Sequence, residues 1–151
     1  MSTEEPTIQI QVNTVGPWEI PEALLERGCR SLLEEEGVQE GEVSITLLED
    51  GGIAELNREY FEKDQPTDVI AFTLHEGDEP LLGDVYLGYE EACRQASELG
   101  VPLEEELLRL SIHGVLHVLG YRHPQGEERF ESPMFRRQEE HLKRVLALDG
   151  S

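Results

Sequence analysis

Cysteine is scarce in this sequence, basic residues are few, and long apolar runs are missing altogether. The two cysteines, Cys29 and Cys93, fall in stretches with helical spacing and lack a CxxC arrangement. That argues against a disulfide framework and leaves buried, reduced thiols as the expectation. No apolar segment approaches the roughly eighteen residues needed to cross a bilayer, so no membrane helix is expected. The first six residues, Met1 to Pro6, are acidic and carry no apolar stretch behind a basic start. They do not read as a secretory signal, and a cytoplasmic protein is expected. Lys and Arg number 12 against 33 Asp and Glu, a net charge of −21. Such a balance weighs against a partner held mainly by cation–phosphate contacts. Its distribution is uneven: residues 1–121 hold six basic and 27 acidic side chains, and residues 122–151 hold six of each. The basic residues of that last segment form either a mixed-charge helix face or a local cationic rim.

What is present suits one globular domain over residues 1–151, with 38% apolar and 30% charged residues. Ile8, Ile10 and Val12 alternate with glutamines, as a half-buried strand requires. Pro21 opens a helix with Leu25, Cys29 and Leu32 on one face, and Gly37 closes it. Val43, Ile45 and Leu47 mark a second strand, and a short helix follows from Gly52 to Tyr60. Strands are expected at Val69–Thr73 and Asp84–Leu87, joined by the turn-rich stretch His75–Pro80. Tyr89–Leu99 reads as a helix ended by Gly100. Pro102 then starts a helix that is apolar nearly all round, with Glu104, Glu105 and Glu106 in the first turn. A helix of that kind belongs at the centre of a fold. Ser132-Pro133 caps a last helix running to about Leu148. The mixture predicts an α+β fold, with a mixed four-stranded sheet and about five helices.

The chemistry concentrates in Ser111-Ile112-His113-Gly114-Val115-Leu116-His117-Val118-Leu119-Gly120-Tyr121-Arg122-His123. Residues four apart lie on one helical face a turn apart, so His113 and His117 can share one ion. Gly120 suits a helix end with positive φ, beyond which the chain can bring His123 back towards the pair. Two histidines on an otherwise apolar helix need polar partners, and a third just past its end makes a metal site the better account. Three imidazoles with a fourth position left to water form a catalytic zinc arrangement, one ion per chain. Such an ion lowers the pKa of bound water and polarises a carbonyl or phosphoryl oxygen. The protease pattern HExxH places a Glu base directly after the first ligand, and here that position is Gly114. Histidine and glycine spacing match the longer metzincin pattern while its base is absent. A phosphodiester then suits the site better than a peptide.

At this point the sequence resembles the YbeY family of bacterial endoribonucleases. The resemblance runs from Leu47 to about Leu146. It rests on Leu56-Asn57, Tyr60, Asp64 and Pro66-Thr67-Asp68-Val69, on Leu82-Gly83-Asp84, on the histidine segment, and on Met134 and Glu139. It implies a metzincin-like fold, zinc on His113, His117 and His123, and hydrolysis of single-stranded RNA. It further implies 3′-end maturation of small-subunit (16S) ribosomal RNA and ribosome quality control, with ribosomal RNA and the ribosome or its small subunit as partners. Two positions depart from the family pattern. Phe61 stands where an Arg that contacts RNA is usual, and Arg122 stands where an Asp is usual. Arg58 or Lys63 is expected to supply the missing charge, and Arg122 to meet a phosphate beside the metal.

Other residues carry plainer expectations. Asp68 and Asp84 are read as turn residues, Met134 as core or as support for the metal, and Ser111 as a hydrogen-bond partner of a ligating imidazole. His75 and His141 lack ligand spacing and are assigned to the surface, while Trp18 and Tyr89 are assigned to packing rather than base stacking. No general base is evident in the motif. Two rival readings stay open: a metalloprotease on the same ligands, and a ribosome-associated binding protein with structural zinc.

Overall fold

A computed structural model describes residues 6–122 and 132–149. Its elements run β1 (Thr7–Thr14), α1 (Glu22–Glu35), β2 (Glu40–Leu48), α2 (Asp50–Phe61), β3 (Val69–Thr73), β4 (Leu81–Gly88), α3 (Tyr89–Leu99), α4 (Leu103–Val118) and α5 (Pro133–Asp149). They form the α+β architecture expected, with β3 at its expected bounds and β1, β2 and β4 longer than their apolar alternation marks. β4 starts at Leu81 rather than Asp84, because Leu81, Leu82 and Gly83 pair with Gly41, Glu42 and Val43 of β2. Backbone pairing continues where the side-chain pattern has stopped.

The four strands form one mixed sheet in the order β1-β2-β4-β3. β1, β2 and β4 are parallel, and β3 runs antiparallel along the β4 edge. Val43, Ile45, Leu47, Val85 and Leu87 point to one face and are fully buried. Leu25 and Leu32 of α1 and Leu108, Ile112 and Leu116 of α4 complete that core. The alternate residues Ser44, Thr46, Asp84 and Tyr86 are only half-buried. The Asp84 turn expected from sequence is not what forms. Asp84 lies inside β4, directly opposite Ser44, whose hydroxyl donates to its Oδ1 at 2.8 Å.

α4 crosses the middle of the molecule, packing against α1, α3, α5, β3 and β4. Ser132 caps α5 as expected, accepting the Phe135 amide at 3.1 Å. Three surface or thiol assignments need correction or refinement. His141 is 1% exposed, because it follows Met134 and Gln138 on the face of α5 that packs inward. Its Nε2 donates to the Gly28 carbonyl at 2.9 Å. Of the two thiols, Cys29 is buried with its pKa pushed up by burial to about 12, whereas Cys93 is only half-buried. Two of the four basic residues of α5 are committed to ion pairs rather than to a cationic rim. Arg137 is bound to Glu35 and Glu36 at 3.1 and 2.9 Å, and Arg144 to Glu35 at 2.9 Å. Trp18 and Tyr89 do pack, stacked on each other with centroids 4.2 Å apart. Among the described residues no helix is long and apolar enough to cross a membrane.

Candidate metal centre and cleft

His113 and His117 stand on the last turns of α4, half-buried, and both line an open cleft of about 910 Å³. Their rings meet edge to face, centroids 4.8 Å apart and planes at 77°. Two imidazole nitrogens each about 2.0–2.1 Å from one tetrahedral ion need a ring separation of roughly this size. Four-residue helical spacing delivers it directly. Past the second histidine, Gly120 takes φ +105°, and the amides of Gly120 and Tyr121 donate back to His117 and Leu116, both at 3.0 Å. The expected terminator is therefore in place. His123 itself lies outside the described residues, and among those described no group of three metal-binding side chains converges.

A second contact settles how His113 is held. Its Nδ1 lies 2.7 Å from Gln138 Oε1, and Gln138 Nε2 donates to Glu139 Oε2 at 2.9 Å. With the amide nitrogen committed to a carboxylate, the amide oxygen faces the ring, so Nδ1 carries the proton. Nε2 is then the nitrogen offered to a metal, which is the division of labour that ligating histidines require. Behind Glu139 stands Arg109, donating to it from Nε at 2.9 Å and also pairing with Glu106. Glu106 is 2% exposed. Burial raises its carboxyl pKa despite the opposing guanidinium, with Asp68 and Glu139 adding repulsion. Burial alone would weaken the Arg109 proton, but bonds to Glu139 and Glu106 hold its pKa above the usual value.

Sequence reasoning missed this relay. Its signal was a polar residue, Gln138, on the same helical stripe as Met134, His141 and Val145. The assignment of a supporting bond to Ser111 is corrected. Its hydroxyl turns back onto its own helix and donates to Leu107 O at 2.8 Å, an alternative always open to a mid-helix serine.

Gly114 explains why no base follows His113. A Cβ built there would lie 2.4 Å from Val85 Cγ1 and 3.3 Å from Val69 Cγ2. That side of α4 rests on the sheet, and the histidines occupy the side facing the cleft. The position that bears a base in zinc proteases is filled here by β3 and β4.

The remaining cleft wall comes from three directions. β3 contributes Val69, Ile70 and Ala71; the end of α2 and the following turn contribute Phe61 and Lys63; Met134 is fully buried yet still borders the cavity. Asp68 also lines it, its Oδ2 accepting from Gln95 of α3 at 3.1 Å while its carbonyl accepts from the Gly88 amide at 2.9 Å. Asp68 thus ties the entry of β3 to α3 and β4, a larger task than the local turn expected. Of the three cations expected near RNA, only Lys63 borders the cleft. Arg58 is exposed beside Asp64, 3.8 Å away, and Arg122 is exposed outside the lining. His75 sits in the β3–β4 connection, where the Leu82 amide lies 3.1 Å from its Nδ1.

Comparison with known proteins identifies the family. The family model described as Endoribonuclease YbeY matches residues 9–146, from β1 through nearly all of α5. The chain belongs to the YbeY endoribonuclease family. It is 43% identical over 141 residues to the endoribonuclease YbeY of Pelotomaculum thermopropionicum, spanning 86% of this chain and 91% of that protein. The YbeY protein of Aquifex aeolicus is 42% identical over 125 residues, 82% of each chain. In three dimensions the solution structure of TM1509 from Thermotoga maritima matches with a TM-score of 0.65 at 30% identity, covering 93% of this chain and 91% of that one. The YbeY match includes both α4 histidines, Gln138 and Glu139, so the whole relay lies within the family region.

Proposed function

We propose that this protein is a zinc-dependent, single-strand-specific endoribonuclease. It acts in the cytoplasm on the 3′ end of small-subunit (16S) ribosomal RNA and in ribosome quality control. The observation that carries this reading is the pairing of two imidazoles on the cleft side of α4 with a glycine seated against the sheet behind them. Family membership supplies the reaction class: hydrolysis of RNA. His113, His117 and His123 would hold one zinc ion. Bound there, zinc supplies Lewis-acid polarisation of a phosphoryl oxygen and activation of water. Gln138 keeps His113 in the tautomer that presents Nε2. Lys63, exposed and without an ion-pair partner among the described residues, meets a backbone phosphate inside the cleft. Arg58 and Arg122 lie outside the lining and serve the strand beyond it.

The chemistry asks for no protein carboxylate next to the metal, because the substrate brings its own charged oxygens. A peptide carbonyl lacks that advantage, and the base that compensates in proteases has no room at Gly114. The test combines metal analysis with cleavage of an unstructured and a structured RNA by wild type and His117→Ala. Wild type should hold one zinc per chain and cut the unstructured RNA. His117→Ala should remain folded by circular dichroism, lose zinc, and cut at least a hundredfold more slowly. Wild type that holds zinc and cleaves no RNA under any condition would reject the enzyme reading in favour of a ribosome-associated protein with structural zinc.

A further inference from the structure

The cleft has little with which to hold a polyanion by charge. Its lining carries Asp68, Glu98 and Glu106 against Lys63 and Arg109. Arg109 is already committed to Glu106 and Glu139. The chain as a whole bears −21. Affinity for RNA at such a surface has to come from contacts other than ion pairs, and the face of a nucleobase is the part of RNA that offers them.

The cleft mouth has the matching groups. Phe61 lines the cleft and is 49% exposed; its neighbour Tyr60 is 56% exposed. Isolated exposed rings are ordinary, but these two converge on Phe72 of β3. Phe61 lies nearly parallel to Phe72 at 20° with centroids 6.4 Å apart, and Tyr60 meets Phe72 edge-on at 5.0 Å. Tyr86 of β4 braces Phe72 from behind at 6.0 Å and 75°. The cluster is anchored in the chain, too. α2 ends with Glu62 in the left-handed region at φ +58°, and the amides of Glu62 and Lys63 close back onto Arg58 and Asn57. The buried Asn57 side chain then donates to Gln65 O at 3.0 Å. This turn brings a ring, Phe61, and a cation, Lys63, to the same cavity two residues apart.

We infer that Phe61, backed by Phe72 and flanked by Tyr60, is a stacking subsite for one unpaired nucleobase of the RNA, with Lys63 on the adjoining phosphate. The inference rests on the endoribonuclease reading above. It gives the departure at Phe61 a chemical meaning: a base contact in place of a backbone contact. It also accounts for single-strand preference, since a base in a duplex has no free face to offer.

The test uses full-length, zinc-loaded protein and a short fluorescent oligouridylate, with binding read by stopped-flow anisotropy before any cutting. A second oligomer has the same backbone with abasic residues. Phe61→Leu keeps the apolar volume and removes the ring, and it should weaken oligouridylate binding about tenfold or more. Phe61→Trp should bind within about threefold of wild type, with its indole fluorescence quenched by the bound base. The abasic oligomer should bind wild type and Phe61→Leu equally. With cleavable RNA, Phe61→Leu should raise KM and leave kcat nearly unchanged. Equal oligouridylate binding by wild type and Phe61→Leu overturns the subsite. So does a Phe61→Leu protein that handles naked RNA normally but loses binding to ribosomal proteins, which would make the patch a protein contact. Wild type that binds oligouridylate through Phe61 yet cuts no RNA rejects the enzyme reading and leaves the subsite standing.

Discussion

Gly114 sits where two opposing effects can be weighed. Replacing a helical glycine by alanine gains up to about 1 kcal/mol of helix propensity. The added methyl would lie 2.4 Å from Cγ1 of the fully buried Val85. Overpacking of this kind costs about 1–3 kcal/mol, and β4 cannot retreat without breaking its pairing with β2. Gly114→Ala should therefore lower the melting temperature, and a rise would show that propensity wins and that α4 is less tightly seated. Gln138 is the other residue with a defined consequence. Gln138→Leu keeps the volume and removes the acceptor at 2.7 Å from His113 Nδ1. Zinc affinity, measured by chelator competition, should fall about 10- to 100-fold. Unchanged affinity would mean that the Gln138 contact does not orient the ligand.

At the scale of elements, α1 and α5 are fastened by a charged cluster. Arg137 Nε donates to Glu36 Oε2 at 2.9 Å, and the Tyr121 hydroxyl donates to Glu36 Oε1 at 2.9 Å. Partial burial works to raise the Glu36 carboxyl, but the Arg137 and Tyr121 bonds outweigh it and hold its pKa below 4.5. The folded-state value is thus the lower one. The stabilisation is fully present above pH 4.5 and is lost as pH falls below it through the folded value. Melting curves of wild type and Glu36→Gln across this range should differ most near neutrality and converge as the solution is acidified. A gap that stays constant down to acid pH would remove Glu36 from the acid response. Because Tyr121 directly follows the Gly120 turn, this cluster also ties the end of α4 to α1.

On the whole-molecule scale, the core does not depend on the metal site. Leu25, Leu32, Ile45, Leu47, Leu108 and Ile112 are fully buried between the sheet, α1 and α4, and each is held without help from the histidines. Chelation should then abolish cleavage and lower the melting temperature by several degrees, as loss of a native-state ligand does. The transition should stay cooperative and the far-ultraviolet spectrum unchanged. Unfolding on chelation would point to structural zinc. The acidic surface acts at the same scale: binding of naked RNA should be weak, with a salt dependence no steeper than about three phosphate contacts would give.

The order and type of elements were legible in the sequence because both periods were strong: alternation in β2, and apolar steps of three and four in α1 and α4. The two α4 histidines were legible for the same reason, since a helix fixes the relation of residues four apart without reference to anything else. Long-range pairing was not legible. That β3 runs antiparallel at the edge depends on the choice of strand it pairs with, and that Asp84 faces Ser44 and His141 is buried depends on partners 40 or more residues away. The relay through Gln138, Glu139 and Arg109 likewise joins two helices whose packing no local pattern encodes. Gly114 shows the division most clearly. The sequence alone determined that no base follows His113; only the tertiary structure decided that none fits, because α4 lies there against Val85 and Val69.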